Sequence, residues 1–107
     1  MYIRYNTHNF RAYEWDPVKR ATTLASRKLD FADAVHIFDS PTLEDEDGRR
    51  SHGEVRIIAV GVIHARYLTV VYTDRPQPDG WIVRRIISAR RSNRRERQAY
   101  QDAMLPR

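Results

Sequence analysis

The sequence predicts one α+β domain in which two N-terminal helices and one C-terminal helix pack on an antiparallel sheet of three to five strands. Three observations lead to this fold class. Apolar residues recur at helical spacing between residues 16 and 38, residues 54–89 hold three runs rich in Val, Ile, Tyr and Thr, and a capping signature opens a last helix at 92–96. A chain of 107 residues has room for one modest core, so we expect residues 1–107 to form a single domain.

The N-terminal third predicts a strand and two helices. Residues 11–15 form a short strand, and Asp16-Pro17 then provides an N-cap with proline at the first helical position. The first helix runs from about Asp16 to Arg27. Asp30 caps a second helix, which ends before Pro41 and carries its apolar residues on one face, namely Phe31, Ala34, Val35 and Phe38. We expect residues 1–10 to form either an added strand or a flexible tail.

The C-terminal part predicts an antiparallel meander followed by a helix. Residues 39–51 contain five acids and almost no apolar side chains, so we expect an exposed, mobile connection there. The three predicted strands cover residues 54–63, 66–73 and 81–89, with tight and longer links at 64–65 and 74–80. The last helix covers about 92–103, with Glu96 three residues after Asn93 as in a capping box.

The distribution of charge indicates a polyanionic ligand. Of 19 cationic side chains, 17 are Arg, whose guanidinium binds phosphate through two parallel hydrogen bonds. Residues 1–80 carry 11 basic and 12 acidic side chains, whereas residues 81–107 carry 8 basic and 2 acidic ones. Such a concentration is typical of a nucleic-acid-binding surface. A solvated surface or a contact for an acidic protein remains the alternative.

Several classes of protein are excluded by what the sequence lacks. It contains no cysteine, which excludes disulfides and thiolate chemistry, and no run of 18 apolar residues. The first residues lack the apolar core of a signal peptide, so we expect a cytoplasmic protein with no membrane contact. There is no Gly-rich phosphate loop, nucleophile elbow or metal-ligand spacing, and we expect neither a metal nor another cofactor.

Two strands carry residues suited to cutting RNA. Alternation along a strand places Glu54 and Arg56 on one face, and Arg85 lies on the last strand. Metal-free RNA cleavage needs a base for the 2′-hydroxyl, cations for the phosphate and an acid for the leaving oxygen. Glu54 is the candidate base, with Arg56 and Arg85 as the phosphate clamp. A structural ion pair within the sheet is the alternative reading.

Arginines also dominate the end of the last strand. Arg84 and Arg85 alternate to opposite faces among apolar neighbours, so at least one must partly leave water and needs a carboxylate or an anionic ligand. The run from Arg90 to Arg97 then lies where a strand meets a helix, and helix N-termini bind phosphate.

An ordered set of motifs resembles the BrnT family of toxins. It covers about residues 12–101 and consists of Glu14-Trp-Asp-Pro-x-Lys19, Phe38-Asp-Ser-Pro41, Glu54-x-Arg56 with Gly61, Arg85-Ile-Ile-Ser-Ala-Arg-Arg91, and Arg95-Glu-Arg97 with Tyr100. The resemblance implies a RelE-like fold and a ribonuclease toxin that blocks translation. It also implies neutralisation by a BrnA-type antitoxin, with operator DNA bound only through the antitoxin complex.

The combined interpretation assigns a site. The predicted catalytic residues are Glu54, Arg56, Arg85 and Ser88, and the predicted RNA contacts are Lys19, Tyr72, Arg90, Arg91, Arg94 and Arg95. A regular strand would place Arg85 and Ser88 on opposite faces, so both serve one site only if a bulge intervenes. A non-catalytic RNA- or DNA-binding module and a partner-binding scaffold are the alternative functions.

The chain also departs from the family pattern. The family's Asn and Lys-His-Gly near the end of the first helix are replaced by Thr23 and Ser26-Arg27-Lys28, and a family histidine is replaced by Arg50. Any proton transfer by those histidines must here fall to another group.

Overall fold

The computed structural model describes residues 1–6, 10–51 and 53–105, without the side chains of residues 10, 11 and 49–51. The elements in chain order are β1 (Tyr2–Arg4), β2 (Phe10–Trp15), α1 (Pro17–Arg27), α2 (Phe31–Ala34), a 3-10 helix (Val35–Asp39), β3 (Thr42–Ser51), β4 (Glu54–Ile63), β5 (Arg66–Pro76), β6 (Ile82–Arg91) and α3 (Arg94–Met104). The α+β class is confirmed, as are the two N-terminal helices and the C-terminal one. No helix of the described residues is long and apolar enough to span a membrane.

The sheet is larger than predicted and is mixed rather than antiparallel. Within the described residues its strands follow the order β1-β3-β4-β5-β6-β2. The meander of β4, β5 and β6 is confirmed, but β2 pairs with β6 in parallel. The sequence could not indicate this, because a strand's periodicity reports which face is buried and not which strand lies beside it.

The acidic segment is the largest correction to the predicted fold. It forms β3, which pairs with both β1 and β4, so the prediction of an exposed, mobile connection is wrong. Thr42 and Glu44 are fully buried there. The Glu44 carboxylate accepts hydrogen bonds from the Tyr72 hydroxyl at 2.6 Å and the Thr42 hydroxyl at 2.8 Å. Because two buried hydroxyls donate hydrogen bonds to it, the Glu44 carboxylate can lie inside the sheet. The low hydrophobicity of this segment does not predict a buried strand.

The main core lies between the N-terminal helices and one side of the sheet, which we call the core face, defined by Val70, Tyr72, Ile86 and Ala89. Phe31 and Phe38 pack on it from α2 and the 3-10 helix. Gly61 on β4 permits this approach, because a Cβ there would lie 2.7 Å from the Cβ of Ile37. The second predicted helix therefore packs as expected, although its last turn is 3-10.

The predicted caps are present. Asp16 accepts a hydrogen bond from the Val18 amide, and Asp30 accepts one from the Ala32 amide. Asn93 and Glu96 form a reciprocal capping box at the start of α3.

The other side of the sheet, which we call the open face, is defined by Arg56, Thr73, Arg75, Arg85 and Ser88. Helix α3 packs on this side near Tyr67, at the end of β5 opposite Arg75. It is fastened there by the Thr69 and Ser92 hydroxyls, 2.7 Å apart, and by the rings of Tyr67 and Tyr100, 5.8 Å apart. The rest of the open face is not covered by α3.

Candidate active site

A β-bulge in β6 brings two predicted site residues to the same face. On β5 the neighbours Val71 and Tyr72 pair with Ser88 and Ile86, so Ile87 is an extra residue on β6. The extra residue reverses the alternation of side chains beyond it. Arg85 and Ser88 consequently both lie on the open face, so the bulge that a shared site requires is present.

A network of ion pairs crosses the open face over four strands. Arg75 on β5 donates two hydrogen bonds to Glu54 on β4, at 2.9 and 3.2 Å, and one to Glu14 on β2 at 3.2 Å. Arg85 on β6 lies 3.5 Å from the same oxygen of Glu14. The side chains of Glu14, Glu54, Arg75 and Arg85 are between 31% and 43% exposed, so the network is accessible to solvent and to a ligand.

Glu54 is held as an ionised carboxylate. Its hydrogen bonds from Arg75 lower its pKa, and the nearby charges of Arg75 and Arg56 act in the same direction. Arg56 shares the open face as the register partner of Asp47, and it has no side-chain hydrogen bond or ion pair with the described residues. Glu54 is therefore paired with Arg75, not with the Arg56 that the sequence placed beside it.

The two adjacent arginines of β6 differ in environment. Arg84 turns to the core face, is fully buried, and donates to both oxygens of Asp74, at 2.7 and 2.9 Å. Its guanidinium carbon lies 3.9 Å from the ring centre of Tyr72 and 4.6 Å from that of Phe38. The prediction that at least one of the pair needs a carboxylate is confirmed, and Arg84 is a structural residue.

Tyr72 requires a correction. It was predicted to contact RNA, but it is fully buried on the core face with its hydroxyl donating to Glu44. Burial raises its pKa strongly, so the hydroxyl stays protonated. Tyr72 cannot reach a ligand on the open face, because the sheet itself separates the two.

The predicted RNA contacts do not all lie together. Arg90 makes a bidentate pair with Glu96, at 2.7 and 2.8 Å, and thereby ties β6 to α3. Burial opposes ionisation of Glu96, but the hydrogen bonds from Arg90 and the Asn93 amide outweigh it and lower its pKa. Arg94 and Arg95 are exposed and line a shallow groove on α3 with Gln98, Ala99 and Asp102.

Two of the predicted contacts lie away from this helix surface. Arg91 is exposed at the end of β6, where register with Leu68 turns it to the side opposite Arg90. Lys19 is exposed on α1, which lies on the core-face side of the sheet, so it does not share the open face.

Sequence reasoning missed Glu14 and Arg75. Glu14 lay in a predicted strand, but its register with Arg85 follows from the unpredicted parallel pairing of β2. Arg75 was placed in a link, whereas β5 continues to Pro76. Among the described residues no three His, Asp or Glu side chains are clustered as metal ligands. Arg50, at the position of a family histidine, has a side chain outside the described ones.

Comparison with known proteins identifies the chain at the level of its family. Residues 15–96 match the family described as ribonuclease toxin, BrnT, of type II toxin-antitoxin system. No match to an individually curated protein was found. The matched segment begins one residue after Glu14 and includes Arg75 and the three strands of the meander. Because the match covers most of the chain, the protein belongs to the BrnT family of ribonuclease toxins of type II toxin-antitoxin systems.

Proposed function

We propose that this protein is a cytoplasmic, metal-independent endoribonuclease that blocks translation by cutting RNA bound on the open face. The observation that carries the proposal is the clustering of Glu54, Arg56, Arg85 and Ser88 on one accessible face, together with Arg75 and Glu14. We further propose that the whole chain acts as one domain with the RelE-like arrangement that the resemblance implies.

The proposed chemistry uses cations of the protein to stabilise charge. Glu54 takes the proton of a 2′-hydroxyl, the 2′-oxygen attacks the adjacent phosphorus, and the bond to the 5′-oxygen breaks. A 2′,3′-cyclic phosphate forms, and the departing 5′-oxygen takes a proton from solvent. Arg56 and Arg85 bind the phosphate as its negative charge grows, and the Ser88 hydroxyl donates a hydrogen bond to it.

The Arg75–Glu54 pair sets a condition on this chemistry. Both oxygens of Glu54 accept hydrogen bonds from Arg75, and its lowered pKa makes it a weak base in the free protein. A phosphate that accepts hydrogen bonds from the Arg75 guanidinium weakens those between Arg75 and Glu54, and so raises the basicity of Glu54. We therefore propose that substrate binding itself activates the base.

The test is cleavage of a mixed-sequence RNA by the purified protein in the presence of EDTA. Arg85→Ala should lower the cleavage rate by about 10²- to 10³-fold, the usual cost of removing one group that stabilises transition-state charge. Arg66→Ala, at the exposed first residue of β5, is the matched control and should cleave at the wild-type rate. Activity that appears only with magnesium would contradict metal independence, and binding without cleavage would favour the non-catalytic module.

We propose that a BrnA-type antitoxin neutralises the toxin by covering the RNA-binding surface, with operator DNA contacted only through that complex. The support is the combination of half-buried Ile58 and Val71 on the open face with the exposed Arg94 and Arg95 on α3. A partner that presents apolar and acidic groups would be complementary to both.

This partner proposal predicts that antitoxin and RNA share determinants. The double charge reversal Arg94→Glu, Arg95→Glu should weaken the binding of both RNA and the antitoxin. RNA affinity should fall more steeply than antitoxin affinity as the salt concentration rises. The single reversal Arg66→Glu, compared with Arg94→Glu alone, serves as the control for net charge. Lost RNA binding with unchanged antitoxin affinity would place the antitoxin on another surface.

A further inference from the structure

We propose that Glu14 is an internal substitute for the RNA phosphate, which occupies the anion position between Arg75 and Arg85 until RNA displaces it. The inference rests on the proposed function, since it concerns the ligand of the same face. Glu14 Oε1 lies 3.2 Å from Nη1 of Arg75 and 3.5 Å from Nη1 of Arg85. One anionic oxygen facing two guanidinium groups is the arrangement that a non-bridging phosphate oxygen adopts.

The contacts of Glu14 are looser than those of three other arginine–carboxylate pairs. The pairs Arg20–Asp30, Arg84–Asp74 and Arg90–Glu96 are each bidentate, with distances between 2.7 and 3.0 Å. Glu14 offers a single oxygen to two arginines at longer distances. A carboxylate held in this way is the easier one to exchange for a better anion.

The Arg75 side chain and the Arg85 backbone do not depend on Glu14 for their positions. Nε and Nη2 of Arg75 donate hydrogen bonds to Glu54, which orients the guanidinium and leaves Nη1 directed at Glu14. Arg85 has no other side-chain partner among the described residues, and its backbone is fixed by pairing with both β5 and β2. When Glu14 rotates away, Nη1 of Arg75 remains directed at the vacated position, and the side chain of Arg85 starts from a fixed backbone beside it.

Exchange needs no local unfolding. The side chains of Glu14, Arg75 and Arg85 are 39%, 43% and 31% exposed, so a phosphate can approach from solvent. A displaced Glu14 still stands close to the incoming phosphate and repels it. Removing this charge while keeping the side chain's size should consequently strengthen binding, which is the opposite of what loss of an ordinary site residue does.

The experiment compares Glu14→Gln with the wild type in binding a fluorescent, mixed-sequence 2′-deoxy oligonucleotide, which lacks the attacking hydroxyl and is not cut. We expect the variant to bind roughly tenfold more tightly, a modest effect because the site is partly solvated. Asp33→Asn is the matched control, since it removes one exposed negative charge on α2, and its affinity should stay within about twofold. In an Arg85→Ala background the gain from Glu14→Gln should largely disappear.

The proposal is overturned if Glu14→Gln binds no more tightly than the wild type while its thermal unfolding is unchanged. It is equally overturned if Asp33→Asn gives the same gain, or if the gain persists without Arg85. The measurement is independent of catalysis. A wild type that fails to cut RNA, alongside a tighter-binding Glu14→Gln, would remove the ribonuclease proposal and leave the phosphate substitution standing.

Discussion

Arg84 and Arg85 are neighbours on β6, yet the sheet gives them opposite environments. Arg84 lies under the helices, fully buried, with a bidentate partner and two aromatic rings in contact. Arg85 lies on the open face, 31% exposed, with one partner at 3.5 Å. For these two neighbours, burial and a short bidentate carboxylate partner separate the arginine that holds the fold from the one available to a ligand.

A similar difference exists within the open face. Arg90 is on the same side of the sheet as Arg85 and is 41% exposed, but helix α3 supplies its partner Glu96, whose side chain is only 14% exposed. That pair is short and bidentate like the buried one. A short bidentate carboxylate partner therefore distinguishes Arg84 and Arg90 from Arg85, and neither exposure nor the side of the sheet does so alone.

The largest effect is expected at Arg84. Arg84→Ala should lower the free energy of unfolding by about 3–5 kcal/mol, because it leaves Asp74 without its charge partner and opens space between Phe38 and Tyr72. Arg85→Ala, its matched neighbour, should cost less than about 1 kcal/mol. Urea denaturation of both variants measures the difference. Equal losses in the two variants would contradict a structural role for Arg84 that Arg85 lacks.

A smaller effect is expected at Tyr72. Tyr72→Phe removes the hydroxyl donor of buried Glu44 and should cost about 1–3 kcal/mol. Tyr100→Phe is the control, since its hydroxyl reaches the Pro41 carbonyl only at 3.4 Å and should contribute about 0.5 kcal/mol or less. Affinity for the oligonucleotide should be unchanged in Tyr72→Phe. A selective loss of RNA affinity would restore Tyr72 to the binding site.

The smallest effect depends on pH and concerns Glu96. Folding lowers the pKa of Glu96, so its ionised form stabilises the protein above the unfolded value of about 4.3, and this contribution disappears as pH falls through the folded pKa. Glu96→Gln should thus cost about 1 kcal/mol at pH 7 and less at pH 3.

Unfolding of Glu96→Gln and wild type at the two pH values provides the measurement. Asp102→Asn, an exposed acid on the same helix, controls for the loss of one negative charge. If the free energies of unfolding of Glu96→Gln and wild type differ as much at pH 3 as at pH 7, the pair of Arg90 and Glu96 has no ionic role.

Several parts of the fold could be predicted from the sequence because they depend on neighbours in the chain. The caps at Asp16 and Asp30 and the capping box at Asn93 involve residues at most three positions apart. The meander was likewise predicted from alternation and short links. Of the candidate site, the presence of Glu54, Arg56 and Arg85 on strands was predicted, while their partners were not.

The errors came from residues whose environment is supplied by distant strands. Glu44 is buried in β3 because Tyr72, 28 positions away, donates to it, and no local pattern indicates this. Tyr72 was interpreted as a surface ligand contact for the same reason. The bulge at Ile87 is visible only in the register between β5 and β6, and that register places Ser88 beside the site.

The helix caps, the meander and the concentration of arginine near the C-terminus could be predicted from the sequence alone, since each follows from local geometry or composition. Which arginines are structural and which face a ligand depends on the folded sheet. An arginine's role depends on the carboxylate that reaches it and on the water left around it. For Arg75 those carboxylates come from Glu54 and Glu14, 21 and 61 positions away, and only the folded sheet brings them within 3.2 Å.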